Sequence, residues 1–405
     1  MVLGGADPPL RARRRTCQCE NTQSGASAGR RAANRLKRMA RAIWSGDRGD
    51  RAMFLREQIG ESMVFEGAEP QPLRYAPHAA GKPRLRSKVD PDHPDNVWFE
   101  DGADYVFHTA NGTVGRTASS RIPDWREHPL YGRSGFDHRD FKTISNSAYT
   151  VYADYGYEAI ADDGCTSDAA SDKMADEASM PSTRTPAIWN AGASPGLDKI
   201  RQRLAAGESA VFVVFGDSIS MGAEIGDVRY KFAFRFAESL RSRFPEALIE
   251  LKNKAIGGEA SARALTRLHD DVIAERPDLV LIGYGMNDQN RKEDGSNSIS
   301  PQSFERNIAS MIEQIRADTE ADLILITPCV PNPDWIFASA NVADYAMALR
   351  RLAVRYGTGI ADVQLGWQAE LAAGKSHASL LINNVNHPNE YGHGIYARTL
   401  EKLFL

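Results

Sequence analysis

The chain has 405 residues, of which 42% are hydrophobic and 25% are charged, and its formal net charge is −4. This composition is typical of a soluble globular protein that is long enough for two domains. The small net charge gives no reason to expect nucleic acid as a partner. No run approaches the roughly eighteen apolar residues of a membrane span. The oligomeric state stays open.

The N-terminal segment is basic and poor in large apolar residues. Residues 1–44 contain ten Lys or Arg and only two acidic residues. We predict a disordered leader over residues 1–60. No apolar stretch follows the basic residues, and the four cysteines have neither disulfide-framework nor metal-ligand spacing, so we expect no secretory signal peptide and a cytoplasmic protein.

Residues 61–160 contain short β-type runs, and Asn111-Gly112 between two of them indicates a hairpin. We predict a small β-rich accessory domain here. Its aromatic and polar residues have two interpretations, the packing of a small core or the lining of a sugar-binding surface. The β-type runs are Val97–Phe99, Tyr105–Phe107 and Tyr149–Tyr152. The residues with two interpretations are Trp125, His128, Tyr131, Phe136, Asp137 and His138.

Residues 161–196 are acidic and rich in Ala, Ser and Pro, which predicts a linker. From Leu197 to Leu405, predicted strands and helices alternate regularly. Such alternation predicts an α/β domain, a flavodoxin-like three-layer sandwich with a five-stranded parallel sheet. The predicted strands are 211–215, 248–252, 279–282, 323–327 and 360–363. The predicted helices are 197–206, a helix after Ser218 that runs to about Phe244, 259–275, 302–317, 342–356 and 389–405.

Four polar or glycine-rich segments follow four of these strands. The first predicted strand runs directly into Gly216-Asp217-Ser218, which places a serine between a buried strand and a helix N-terminus. This serine is either a nucleophile or a helix cap. Because the carboxyl ends of parallel strands meet at one edge of the sheet, we expect all four segments to meet there. The other three are Asn253–Gly258, Gly283–Asp288 and Asn384–Pro388.

In this order the four segments resemble the blocks of the SGNH, or GDSL-type, hydrolase family, over about half of the chain. The resemblance implies an ester hydrolase in which Ser218 is the nucleophile and His387 the general base. It implies an oxyanion hole made by the backbone N–H groups of Ser218 and Gly258 and the side chain of Asn287. Asp217 and Asp288 are expected to brace their loops. No metal or organic cofactor is expected.

The final block departs from the family pattern, because Asn384 stands where the family has an aspartate. An amide oxygen can accept a hydrogen bond from the imidazole, but it cannot compensate the charge of an imidazolium. One alternative is a Ser-His dyad oriented by Asn384 or by a backbone carbonyl. The other is a different acid, and Asp362 and Glu390 are the nearest in sequence.

The resemblance also limits the substrate to esters or thioesters. The sequence contains no amphipathic flap of the kind that brings a lipase to a membrane. The aromatic-rich β region before the hydrolase block is similar in arrangement to carbohydrate esterases, which often pair such a domain with a β module. We therefore expect removal of acetyl or other short acyl groups from a carbohydrate. The alternatives are a lysophospholipase, thioesterase or arylesterase of the same family, or a carbohydrate-binding relative that has lost activity.

Overall fold

The computed structural model describes residues 53–78, 81–160 and 195–405. The predicted leader up to residue 52 and the predicted linker from 161 to 194 lie outside the described residues. The leader ends earlier than the predicted residue 60, because Met53–Met63 is a strand that pairs with Val151–Ile160. The basic composition on which that prediction depends is confined to residues 1–44, and the strand Met53–Met63 begins after it.

The N-terminal region contains two antiparallel three-stranded sheets. The predicted hairpin is confirmed, since the strands on either side of Asn111-Gly112 pair with each other. The run Val97–Phe99 is not a strand, and Trp98 makes only an isolated bridge to Arg86. The strands are Met53–Met63 (β1), Gln71–Pro72 (β2), Arg84–Arg86 (β3), Tyr105–His108 (β4), Thr113–Arg116 (β5) and Val151–Ile160 (β6). The sheet orders are β1-β6-β3 and β2-β5-β4.

The C-terminal region forms the predicted five-stranded parallel sheet, in the order β11-β10-β9-β7-β8. The interior strand that leads into Ser218 carries the run Val-Phe-Val-Val-Phe, and every residue after the first of these is buried, because helices cover both faces of the sheet. The strands are Ala210–Gly216 (β7), Ile249–Asn253 (β8), Leu279–Gly283 (β9), Asp322–Ile326 (β10) and Gly359–Ala361 (β11). The flavodoxin-like fold is confirmed.

Two hydrophobic cores lie on the two faces of the sheet. One packs α1, α3, α8 and α10 against it, and the other packs α6 and α7. The helices are Asp198–Ala205 (α1), Ser218–Met221 (α2), Phe232–Arg243 (α3), Ser261–Leu265 (α4), Leu268–Asp271 (α5), Pro301–Asp318 (α6), Val342–Tyr356 (α7), Val363–Ala372 (α8), His377–Leu380 (α9) and Glu390–Glu401 (α10). No helix among the described residues is long and apolar enough to cross a membrane.

Two predicted helices are interrupted. The helix after Ser218 lasts one turn, because Gly222 adopts the left-handed conformation (φ 71°) and ends it. Helix α3 then begins only at Phe232. The predicted helix 259–275 is divided into α4, α5 and a 3₁₀ turn. Thr266 is the C-cap of the first piece, and its hydroxyl donates to the Arg263 carbonyl at 2.7 Å.

The N-terminal region packs directly against the C-terminal sheet domain. The buried ammonium of Lys375 pairs with Glu61 of β1 and donates to the Ser62 carbonyl at 2.9 Å. Asn146 Nδ2 donates to the Leu381 carbonyl at 2.7 Å. These contacts join the two regions close to the segment 381–388.

Six residues of the N-terminal region were predicted either to pack a core or to line a sugar-binding surface, and three of them are core residues. Trp125, His128 and Phe136 are buried, and the Trp125 and His128 rings stack. For these three, the sugar-binding interpretation is wrong, because each is no more than 5% exposed. Tyr131 is exposed and His138 is half-buried.

Candidate active site

Ser218 lies at the carboxyl end of β7, as the first residue of α2. Gly216 makes this turn possible, since a Cβ at that position would lie 2.6 Å from the Gly283 carbonyl oxygen. Asp217 caps α2 and accepts from the Ile219 N–H at 2.9 Å, so its predicted bracing role is confirmed. Burial raises the pKa of Asp217 to about 7.

His387 lies in the loop between α9 and α10, and its imidazole faces the serine. Its Nε2 is 2.9 Å from Ser218 Oγ. These two residues are 169 positions apart in the sequence. At this distance the imidazole can accept the hydroxyl proton directly.

The other imidazole nitrogen, Nδ1, lies 3.0 Å from Glu224 Oε1. Glu224 belongs to the loop between α2 and α3, which was predicted to be helical, so sequence reasoning missed it. The two glycines that flank it, Gly222 and Gly226, are a signal that was present, because glycines so close together favour a loop. Glu224 itself has a left-handed backbone (φ 66°).

Asn384 is not the residue that orients His387, which corrects the prediction from the family pattern. Its backbone is left-handed (φ 55°), and its Oδ1 and carbonyl oxygen both face Nδ2 of Asn332. The two acids that are nearest in sequence are also engaged elsewhere. Asp362 pairs with Arg350, and Glu390 accepts from Tyr152.

The predicted oxyanion residues lie on the other side of Ser218. A Cβ on Gly257 would lie 3.9 Å from Ser218 Cβ, so the Gly257-Gly258 turn adjoins the nucleophile. Asn287 Nδ2 donates to the carbonyl of Glu259 at 3.1 Å. An amide nitrogen carries two hydrogens, so the second is left for a ligand.

This glycine turn is clamped from behind by a buried ion pair. Arg267 Nε donates to both carboxylate oxygens of Glu259 at 2.9 Å, and its Nη1 donates to the Lys254 carbonyl at 2.8 Å. One guanidinium thus holds both ends of the segment that carries Gly258. Asp288 accepts from the backbone N–H of Ser261 at 3.0 Å, which confirms its bracing role.

Residues 214–395 match the family model described as GDSL-like Lipase/Acylhydrolase family. The match includes the serine turn, the glycine turn, the Asn287 loop and the His387 loop in one segment. We refer to this segment, by the family model that it matches, as the GDSL-type domain.

Two curated proteins resemble part of the GDSL-type domain. Esterase TesA of Pseudomonas aeruginosa is 32% identical over 122 residues, which are 29% of this chain and 58% of that protein. The uncharacterized lipoprotein YqeF of Bacillus subtilis is 27% identical over 119 residues, which are 29% of this chain and 48% of that protein. The chain therefore spans about half the length of the curated relatives that it matches.

Solved structures also resemble this chain. Axe2, an acetylxylan esterase from Geobacillus stearothermophilus, is 22% identical with a TM-score of 0.43, covering 48% of this chain and 94% of its own. A two-domain esterase (CEX) active on acetylated mannans is 20% identical with a TM-score of 0.43, covering 53% of this chain and 54% of its own.

The GDSL-type domain thus presents a hydroxyl, an imidazole and a carboxylate in line, beside a turn of two glycines. A serine hydroxyl in contact with an imidazole that is itself held by an acid is the arrangement that activates a nucleophile for acyl transfer. Among the described residues, no group of three or more His, Cys, Asp or Glu is arranged to hold a metal ion.

Proposed function

We propose that this protein is a serine ester hydrolase that removes acetyl or other short acyl groups from a carbohydrate. The observation that carries the proposal is the continuous contact from Ser218 Oγ through the imidazole of His387 to the carboxylate of Glu224, at 2.9 and 3.0 Å. A relative that had lost its activity would have no need to keep these three side chains in register.

In the proposed reaction, Ser218 Oγ attacks the ester carbonyl carbon while His387 Nε2 takes the hydroxyl proton. The tetrahedral intermediate collapses, its bond to the alcohol oxygen breaks, and His387 returns the proton to that oxygen. Water then attacks the acyl-serine by the same route and releases the carboxylic acid. Glu224 fixes the tautomer that presents Nε2 to the serine and stabilises the imidazolium that forms.

The negative oxygen of the tetrahedral intermediate is proposed to face the N–H groups of Ser218 and Gly258 and the Nδ2 of Asn287. The support for this is positional, since the glycine turn adjoins Ser218 and Asn287 donates to the residue after Gly258. Loss of one such donor typically costs about 2.7–4 kcal/mol of transition-state stabilisation.

A short acyl group fits the surroundings of Ser218. On the solvent side, Met221 packs against the Gly257 position, and both Met221 and Ile256 are exposed. These apolar side chains suit an acetyl methyl group.

The proposed carbohydrate side is the surface next to His387. Val385 packs in one cluster with Phe136 and Trp335, and the Trp335 indole N–H donates to Nδ1 of the half-buried His138 at 3.0 Å. Phe337 adjoins the same cluster. Phe136, Trp335 and Val385 are buried, so the groups that can face a sugar are the partly exposed Phe337 ring and the His138 imidazole, which lie side by side. An aromatic and a polar group side by side suit a sugar ring, which has both apolar faces and hydroxyl groups.

The experiment compares the hydrolysis of p-nitrophenyl acetate and p-nitrophenyl octanoate by the wild-type protein and by Ser218→Ala. We expect the wild type to hydrolyse the acetate faster than the octanoate, and Ser218→Ala to lose the hydrolysis of both. A preference for octanoate would favour the lysophospholipase or thioesterase alternative, and release that does not depend on Ser218 would overturn the proposal. A panel of acetylated glycans then identifies the carbohydrate.

A further inference from the structure

Asn383 is a buried amide beside the relay, and the mechanism described above gives it no role. Its exposed fraction is 5%. Its Oδ1 accepts from the backbone N–H groups of Val385, Asn386 and His387, each at 3.0 Å. One oxygen atom with three backbone donors fixes the turn from which the imidazole projects.

The nitrogen of the same side chain faces the acid. Asn383 Nδ2 lies 3.5 Å from Glu224 Oε1 and 3.4 Å from Asn386 Oδ1. Glu224 Oε1 is also the oxygen that faces His387 Nδ1. Asn383 therefore contacts both the backbone of the base, His387, and the carboxylate of the acid, Glu224, which lies 159 positions from Asn383 in the sequence.

We propose that Asn383 is a positioning residue that sets His387 and Glu224 in register, and this inference rests on the proposed esterase function. Only an amide supplies both parts, since Oδ1 holds the three N–H groups while Nδ2 donates to the carboxylate. An aspartate at this position keeps the acceptor but directs a second negative charge at Glu224. Asn383→Asp therefore removes the contact to the Glu224 carboxylate while it keeps the hydrogen bonds that support the turn.

The test is a double-mutant cycle of Asn383→Asp and Glu224→Gln, with kcat and KM measured on p-nitrophenyl acetate. In the wild-type background we expect Asn383→Asp to lower kcat by about tenfold with little change in KM, because two carboxylates then oppose each other. In the Glu224→Gln background we expect a loss of less than about twofold, because the glutamine amide can donate to Asp at 383.

Asn384→Asp is the matched control, since it introduces the same charge one position away at a side chain that contacts Asn332. We expect Asn384→Asp to change kcat by the same factor in both backgrounds. An equal effect of Asn383→Asp in both backgrounds, with unchanged melting temperatures, would overturn the inference. Failure of the esterase function itself is distinguishable, because the wild type would then show no p-nitrophenol release that Ser218→Ala abolishes.

Discussion

The acid of the relay is partly exposed. The Glu224 side chain is 41% exposed, whereas that of His387 is 17% exposed. Water around a carboxylate screens its charge, so its attraction for an imidazolium is weaker than that of a buried acid. We therefore expect Glu224 to contribute as much by orienting the imidazole as by its charge.

Replacement of Glu224 by glutamine tests this contribution. The amide can still accept a hydrogen bond but cannot stabilise the imidazolium, so we expect kcat to fall by about 10²-fold, short of the roughly 10⁴-fold loss at a buried triad aspartate. Steady-state kinetics on p-nitrophenyl acetate checks this value. Asn384→Asp is the control and should change turnover less than Ser218→Ala does. A larger effect at 384 than at 218 would contradict the assignment of the relay.

Ser218 and His387 could be predicted from the sequence because each lies in a compact sequence block, Ser218 directly after β7 and His387 shortly before α10. Glu224 could not be predicted in the same way, since its role depends on a loop that brings it to a residue 163 positions away. Because Asn384 stands where the family has an aspartate, another residue has to supply the acid. The two acids nearest in sequence, Asp362 and Glu390, pair with other residues instead. Glu224 lies in a loop because the left-handed turn at Gly222 ends α2, and this loop brings Glu224 next to His387.

At the scale of elements, α10 joins the site to the core through a buried histidine. His393 Nδ1 accepts from the backbone N–H of Phe232, the first residue of α3, at 3.2 Å, and the two rings stack. Burial, together with the charge of Arg235, lowers the pKa of His393 to about 3. The neutral ring is needed as an acceptor, so protonation breaks the contact between α10 and α3.

This contact predicts a stability that depends on pH. The unfolded chain binds a proton at His393 below about pH 6.5 and the folded chain does not, so the stabilisation is present above pH 6.5 and is lost as the pH falls toward 3. Between pH 6.5 and 4.5 we expect His393 to account for about 2 kcal/mol of lost stability. His393→Gln should flatten the dependence of the urea midpoint on pH in this range.

The matched control for that experiment is His269→Gln, because the His269 side chain is 75% exposed. Its urea midpoints should follow those of the wild type at every pH. Parallel curves for the wild type and His393→Gln would show that this histidine does not link α10 to α3 in the expected way.

At the scale of the whole molecule, the two regions are joined by buried polar contacts. Glu61 accepts from the Tyr155 hydroxyl and the Arg74 backbone N–H, and it pairs with Lys375 of the C-terminal region. A buried carboxylate that loses its cation is costly, so such a pair enforces one arrangement of the two regions. We infer that the N-terminal region is a fixed part of one folded unit rather than a tethered module.

Lys375→Met tests this inference by leaving Glu61 buried without its cation. We expect a loss of about 3–5 kcal/mol in the free energy of unfolding, in a single cooperative urea transition. Lys199→Met is the control, because Lys199 pairs with Glu320 at the surface, where such pairs contribute about 1 kcal/mol or less. Two separate transitions in the wild type would mean that the regions unfold independently.

The parallel sheet could be predicted from sequence because its strands are short apolar runs between amphipathic helices, and all five lie within a few residues of their predicted positions. The contact between regions could not, because it is made by single polar side chains, such as Asn146 and Lys375, whose partners are more than 200 positions away. The domain boundaries at 161–196 stay a prediction.

The most direct test of the central claim is covalent labelling by ethyl p-nitrophenyl methylphosphonate, followed by mass spectrometry of the intact and digested protein. An activated serine attacks phosphorus and expels p-nitrophenolate, which leaves a stable phosphonyl ester. We predict one adduct per chain, on Ser218, and none in His387→Ala. An adduct on another residue, or no adduct in a preparation that hydrolyses p-nitrophenyl acetate, would contradict this account.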